Sequence, residues 1–256
     1  AQRDTGWVQL YVESAQEALD TVLQAYRIAE AASLPVMINL DAFYVSHALE
    51  PVRVPAQALV DAYLPAYLPE HLLDPERGES WGNVVTQDLY FRHRRAIGEA
   101  MARVPELAAK ADAEWRERTG RRWGILERYR CEGAELVVVT MGSMCGTARE
   151  AIDALREAGV AAGLLKLRLF RPLPAAELRA ALEGVRDVLV LDRNFSPGAG
   201  GVLHQELRGA LYGMQGAPRV HGYLAGVGGV NVSPAKIMEL ARRAASAEPA
   251  PEAAWA

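Results

Sequence analysis

ELVVVTMGSMCGTAREAIDALREAGVAAGLLKLRLFRPLP, residues 135–174, is the stretch whose reading decides the fold. Leu136-Val137-Val138-Val139 is a short apolar run, mostly β-branched, of the kind that is buried on both faces of a sheet. Met141-Gly142-Ser143 interrupts it. From Thr147 to Ala158 the apolar residues Ala148, Ala151, Ile152 and Leu155 recur at helical spacing, and Gly159 supplies a C-terminal stop. Leu164–Phe170 reads as a second strand, closed by Arg171-Pro172-Leu173-Pro174 because neither proline can donate to a ladder. Strand, helix and strand in this space make a βαβ unit with parallel strands and a right-handed crossover.

The same alternation continues downstream. Strands are expected at 135–140, 163–169, 187–192 and 219–224, and helices at 147–158, 175–183, 200–211 and 234–246, which implies a parallel sheet covered on both faces. Ser233-Pro234 marks the last helix start, and the Ala-, Pro- and Glu-rich tail from Ala244 is expected to fray. Upstream, Trp7–Val12 suits a strand. Ser14-Ala15-Gln16-Glu17 forms a capping box before an amphipathic helix through Ala29, and Leu34–Leu40 is a second buried strand ending at Asp41-Ala42-Phe43. These first 45 residues read as the tail of an α/β domain. Pro51, Pro55, Pro65, Pro69 and Pro75 make residues 48–86 a connector with one short helix at Ala56–Tyr63. Residues 87–118 return to helix, with a break expected near Val104-Pro105, and Thr119-Gly120 ends it.

A 256-residue chain with net charge −4 gives no reason to expect nucleic acid or an anionic membrane as partner. Cys131 and Cys145 lack metal-ligand spacing, so free thiols in a reducing, cytoplasmic setting are expected. The chain opens without an initiator Met, in sequence that already reads as structured, and so reads as a fragment or a split chain.

Three glycine-rich turns follow strands: Gly142-Ser143 with Gly146-Thr147, Pro197–Gly201, and Gly226–Gly229. Ligands favour the carboxyl ends of strands in such sheets, and the first turn opens a helix suited to an anion; tight packing turns are the simpler reading. Asp41, Ser46, His47 and Glu50 gather just beyond a buried strand, where His47 is a candidate for proton transfer, against the plainer reading of a bonded domain junction. Arg3 and Asp4 are either an ion pair or a ligand contact. Cys145 suits a small buried filler, and Arg92-His93-Arg94-Arg95 a solvated helix face with an acidic partner chain as its second use. No stretch supplies a metal site or iron–sulfur ligands.

RDTGWVQLYVESAQEALD, LPVMINLDAFYVSHALEPV, the residue 137–174 block and VLDRNFSPGAGG together resemble the α subunit of pyruvate:ferredoxin oxidoreductase, from Arg3 to about Leu240 and in the same order. Ala42 stands where that pattern has glycine. The resemblance implies that residues 1–50 end the α/β domain binding the aminopyrimidine of thiamine diphosphate. Residues 51–130 would be connector and helices, 131–246 a transketolase C-terminal-like α/β domain with a mainly parallel sheet, and 247–256 a flexible tail. It implies oxidative decarboxylation of a 2-oxoacid, with electrons passing to ferredoxin and the acyl group to coenzyme A. Thiamine diphosphate and Mg²⁺ would then serve the holoenzyme, with iron–sulfur clusters on partner subunits or domains and neither cofactor nor metal bound by this chain alone. Its partners would be a thiamine-diphosphate-binding β subunit and γ and δ iron–sulfur subunits. Asp41, Ser46 and His47 are the catalytic candidates, and Arg3 and Asp4 the cofactor-contacting ones. A different 2-oxoacid, branched-chain or 2-oxoglutarate, and a non-catalytic transketolase-type assembly domain are the alternatives.

Overall fold

The computed structural model describes residues 2–69, 72–82 and 84–256. β1 (Val8–Val12), α1 (Ala15–Ala32) and β2 (Val36–Leu40) form the first βαβ unit, its two strands pairing in parallel. The Ser14 hydroxyl accepts from the Glu17 amide at 3.3 Å, while the Glu17 carboxylate reaches back one residue beyond the cap, to the Glu13 amide at 2.9 Å. The connector carries α2 (Gln57–Tyr63) and leads to α3 (Gln87–Thr119).

α3 is one continuous helix of 33 residues, and the expected break at Pro105 does not occur. A proline inside a helix forfeits one hydrogen bond and crowds the preceding turn. Here Val104, Ala108, Ala111 and Trp115 are buried, the first three in the same core as Val8, Leu10 and Ile28, and that packing outweighs the local cost.

The second unit begins earlier than expected, at β3 (Leu126–Tyr129), which pairs antiparallel with β5 and carries too weak an alternation to read from sequence. Then come β4 (Leu136–Thr140), α4 (Met144–Glu157), β5 (Ala162–Leu167), β6 (Leu169–Arg171), α5 (Ala175–Ala181) and β7 (Asp187–Asp192). A small hairpin, β8 (Phe195–Ser196) with β9 (Gly200–Gly201), precedes α6 (Val202–Leu211), β10 (Arg219–Leu224), a 3-10 turn at Val227–Gly229, α7 (Pro234–Ser246) and β11 (Ala254–Trp255). The six-stranded sheet has the order β11-β10-β7-β4-β5-β3 and is parallel except at β3. The tail therefore ends as an edge strand, its Trp255 ring 5.1 Å from that of Phe195.

Alternation sorts the strand residues between two cores, as a period of two requires. Val138, Leu164, Leu189 and Leu191 meet Ile152 and Leu155 of α4 and Ile237 and Leu240 of α7. Val137, Val139, Leu165 and Val188 meet Leu178 of α5 and Leu203 and Leu207 of α6. The run expected as one strand over 163–169 is divided: β5 stays in the large sheet, whereas β6 leaves it and pairs antiparallel with β1, giving a three-stranded sheet β2-β1-β6. Arg168, between them, is 1% exposed.

Candidate functional site

In the large sheet the chain passes from β4 to β5 on one side, then jumps back over β4 to β7 on the other, with the intervening helices on opposite faces. The crevice at the carboxyl ends of β4 and β7 is the switch point where doubly wound sheets hold ligands. Here a side chain of the first unit fills it. Asp41, directly after β2, accepts from the Ser143 amide and hydroxyl, both at 2.7 Å, and pairs with Arg193 at 3.0 Å. Ser143 precedes α4, so the carboxylate occupies the anion-favouring end of that helix. Gly142, at φ +69°, makes room: a Cβ there would lie 2.5 Å from an Asp41 carboxylate oxygen. Arg193 also lies over the Tyr44 ring at 5.2 Å, and the Tyr44 hydroxyl donates to the Gly229 carbonyl at 3.4 Å. Two of the three glycine-rich turns thus meet at one latch.

Beyond the latch, residues 42–53 form a loop fixed at its far end. The Glu50 carboxylate accepts from the Ala15 amide at 2.9 Å, and Gln16 exchanges hydrogen bonds with the Arg53 backbone at 2.6 and 3.3 Å. Between these anchors the Ser46 hydroxyl accepts from the Phe43 amide at 3.1 Å and shares a 2.7 Å hydrogen bond with His47 Nδ1. The Phe43 and His47 rings are 4.6 Å apart, and Phe43 is 71% exposed. Phe43 takes the left-handed backbone, at φ +65°, and Ala42 does not, so alanine in place of glycine there carries no strain.

Arg3 and Asp4 lie elsewhere, at the rim of a cleft of ≈ 530 Å³ between the small sheet and the β8–β9 hairpin. They pair with each other at 3.1 Å, and Arg3 reaches Glu206 at 3.4 Å, which Arg171 holds at 2.6 Å. Gln9, Tyr11, Asn39 and Asn194 line the cleft, with Phe170 and Phe195. Burial pushes the Tyr11 phenol above its usual range, against the pull of the Asn194 amide. The hairpin is set by Asp192, which accepts from the amides of Asn194 at 2.9 Å, Leu203 at 2.5 Å and His204 at 3.2 Å. Burial raises that carboxyl to about 6, while the three amides pull it down.

Under both sites the units are joined by buried charge. Lys166 Nζ lies 2.8 Å from Glu17 and 2.9 Å from Glu13, and Arg149 bonds Glu13 and Glu127. Arg168 donates to Thr21 and Gln24 at 2.7 Å each; its Nε is 3.3 Å from Glu17, near enough to attract but out of hydrogen-bond line. Asp20 holds Arg121 at 2.7 Å and the Trp123 indole at 2.9 Å. Burial alone would raise Glu13 and lower Lys166. The opposite charges outweigh it, so Glu13 sits below its ordinary 4.5 and Lys166 above its ordinary 10.5. A depressed carboxyl stabilises the fold above its unfolded value and loses that contribution as pH falls through the folded one. A raised ammonium stabilises below its unfolded value and loses the contribution as pH rises through the folded one. Urea midpoints should therefore fall below pH 4.5 and again above 10.5, and Glu13→Gln should flatten the acid limb.

The structure brings Ser46 and His47 together, places Asp41 with Ser143 and Arg193 instead of His47, and sets Arg3 with Asp4 at a separate cleft. Arg193, Asn39, Asn194 and Tyr11 were not singled out by spacing. The signal for two of them was present in Asp192-Arg193-Asn194, three polar residues directly after a buried apolar strand. Cys131 and Cys145 are free and buried, and burial raises both thiols.

Fold and junction define a protein of two α/β units, a doubly wound sheet locked at its switch point by the edge of a second βαβ unit. Two family models match it in succession: "Pyruvate flavodoxin/ferredoxin oxidoreductase, thiamine diP-bdg" over residues 1–113, and "Pyruvate:ferredoxin oxidoreductase core domain II" over 134–237. The chain belongs to the pyruvate:ferredoxin oxidoreductase family. It is 43% identical to pyruvate synthase subunit PorA of Methanothermobacter thermautotrophicus, over 97% of this chain and 64% of that protein. Identity to PorA of Thermotoga maritima is 40%, over 93% and 61%. Ketoisovalerate oxidoreductase subunit VorA of Pyrococcus horikoshii is 41% identical, over 90% and 59%. The chain thus spans about three-fifths of the length of these relatives. In fold it is similar to a 2-oxoglutarate:ferredoxin oxidoreductase from Magnetococcus marinus, with TM-score 0.63 and 16% identity over 92% of this chain and 42% of that one.

Proposed function

We propose that this chain is the α-subunit portion of a pyruvate:ferredoxin oxidoreductase, which converts pyruvate and coenzyme A to acetyl-CoA and CO₂ and passes electrons to ferredoxin. The observation that carries the reading is the colinear match of two adjoining family domains, the first described as binding thiamine diphosphate. Thiamine diphosphate, when bound, supplies the carbanion chemistry. Among the described residues no group of three His, Cys, Asp or Glu side chains is arranged to hold a metal ion, and the cleft offers neutral amides, a phenol, and an Arg3 guanidinium already paired with Asp4 and Glu206. The diphosphate and its Mg²⁺ do not fit this donor set, and a β subunit would hold them. Iron–sulfur clusters would sit on γ and δ subunits. No helix among the described residues is long and apolar enough to cross a membrane, and the buried free thiols suit a reducing cytoplasm.

Within that enzyme the chain's residues position and do not react. Asp41 locks the two units, and Ser46 holds the His47 ring in place at the exposed loop. Arg3 and Asp4 shape the cleft mouth. A branched-chain 2-oxoacid is the second reading, favoured by the VorA relative.

The test is an anaerobic pull-down of the chain from its native lysate, followed by viologen reduction. A brown complex whose reduction needs both pyruvate and coenzyme A supports the reading. A preference for 2-oxoisovalerate moves it to the branched-chain enzyme, and a colourless complex leaves a transketolase-type assembly domain. In the active complex His47→Ala should lower turnover roughly ten- to hundredfold, the scale of a misplaced contact, with assembly unchanged. Full activity in that variant removes His47 from the site.

A further inference from the structure

The tail expected to fray is tied down along its length. After α7, Pro249 and Pro251 have no amide hydrogen to give a ladder, and residues 247–253 cross the molecule without joining a strand. Arg219 holds Glu248 at 3.1 Å, and Arg208 donates to the Pro251 carbonyl. Past the second proline the chain can pair again. Ala254 and Trp255 lie beside Tyr223 and Leu224 of β10, and the Ala256 amide donates to the Leu224 carbonyl at 3.1 Å.

The end of this tail bears on the β8–β9 hairpin. The hairpin has strands of two residues each and an exposed tip at 197–199, and a two-stranded ribbon by itself is marginal in water. From within, Asp192 fixes its base through the amides of Asn194, Leu203 and His204. From outside, the Trp255 and Phe195 rings lie 5.1 Å apart, inclined at 54°. Ala253 closes on Gly201 so tightly that a Cβ on that glycine would lie 3.2 Å from the Ala253 Cβ. The hairpin's Phe195, Ser196 and Pro197 are in turn part of the wall of the ≈ 530 Å³ cleft, with Gln9, Tyr11 and Asn39 of the small sheet making another part. One wall of the cleft is thus a ribbon held between an internal carboxylate and the tail.

The two holds are unequal. Asp192 is fully buried and takes three amide donors. Phe195 is 42% and Trp255 62% exposed, and the tail pairs two residues with a strand whose other edge pairs six. Exposed contacts and short ladders are the parts of a fold that open first.

We propose that residues 247–256 are a strap that sets how far the β8–β9 hairpin closes on the cleft, with Trp255 as its clasp. Lifting Trp255 from Phe195 leaves the hairpin hung on Asp192, free to swing away from the small sheet and open the cleft. Seating it again narrows the cleft. The strap belongs to this chain's own fold and does not depend on the oxidoreductase reading.

The experiment reads hairpin and cleft separately in the 256-residue chain. Hydrogen exchange followed by mass spectrometry reports the amides of residues 194–203. For the cleft, Asn39→Cys places a thiol in the wall, and its rate of alkylation by iodoacetamide reports access. Cys131 and Cys145 are buried with raised thiols and do not compete. Trp255→Ala, and a chain ending at Glu252, should each raise both rates roughly three- to tenfold, the scale of one aromatic pair. Trp255→Phe keeps a ring on Phe195 and should hold both rates near those of wild type. Exchange in β4 and β5, across the sheet from the strap, should not change, which verifies that each variant folds. Wild-type rates in the shortened and Trp255→Ala chains overturn the proposal. Faster exchange spread evenly through the sheet also overturns it, since the tail would then be a general stabiliser. A hairpin that loosens with no gain in alkylation at position 39 overturns the link to the cleft.

Discussion

Lys166→Met should lower the unfolding free energy by about 3–5 kcal/mol, the usual cost of removing one partner from a buried ion pair. Lys166 is 1% exposed and Glu17 is fully buried. Without the ammonium, Glu17 keeps the Glu13 amide and the attraction of Arg168, and Glu13 keeps Arg149, but one buried positive charge is gone from between two carboxylates. The loss therefore comes from carboxylate left short of charge, not from lost packing, because methionine nearly matches the stem. Adding Glu17→Gln to Lys166→Met should then recover a substantial part of it. Urea unfolding of both variants measures this. If the double variant is no more stable than the single one, the network stabilises by shape and not by charge.

Gly142→Ala should cost about 2–4 kcal/mol: about 1–2 for a left-handed non-glycine backbone, and the rest for displaced hydrogen bonds. The new methyl would sit 2.5 Å from the Asp41 carboxylate, so Asp41 must leave the Ser143 amide or the turn must open. The comparison with Asp41→Ala separates these terms. The alanine at 41 removes the same latch without touching the backbone of the turn, so it should cost less than Gly142→Ala. In the combined variant the clash has no target, and only the strain at 142 should add. Equal losses in all three would mean that strain at 142 contributes nothing.

Much of the architecture was legible because it rests on local signals. The βαβ reading of 135–174 needed only the apolar run, the helical spacing and two prolines. The caps at Ser14 and Ser233 appear where the residue types place them, each serine accepting from an amide three residues on. Signals were outweighed where a distant partner decided the matter. Pro105 suggests a break on local grounds, yet the buried side chains around it keep α3 whole. Leu164–Phe170 reads as one strand because nothing local says that Arg168 turns away from Lys166's sheet toward Thr21 and Gln24, more than 140 residues earlier. Two-residue β11 has no pattern to read. The candidate site was half legible for the same reason. The position of Asp41 after an apolar run drew attention to it, although β2 proves half-buried and not the buried strand expected, and its partners Ser143 and Arg193 lie beyond any spacing rule. Ser46 and His47, being neighbours, were found together.

The division of one strand run between two sheets bears on how this protein can be cut. A gene boundary placed in the proline-rich connector looks harmless in sequence, where that stretch reads as a linker. A C-terminal piece made that way would still carry β6, the edge strand that belongs to β1, and Lys166 and Arg168, whose counter-charges stay on the other piece. Such a piece would expose an unpaired strand edge and stranded cations, the features that make fragments aggregate. The two units are separate in sequence but not in inheritance: recombination that exchanges one without the other has to solve the mismatch at β6.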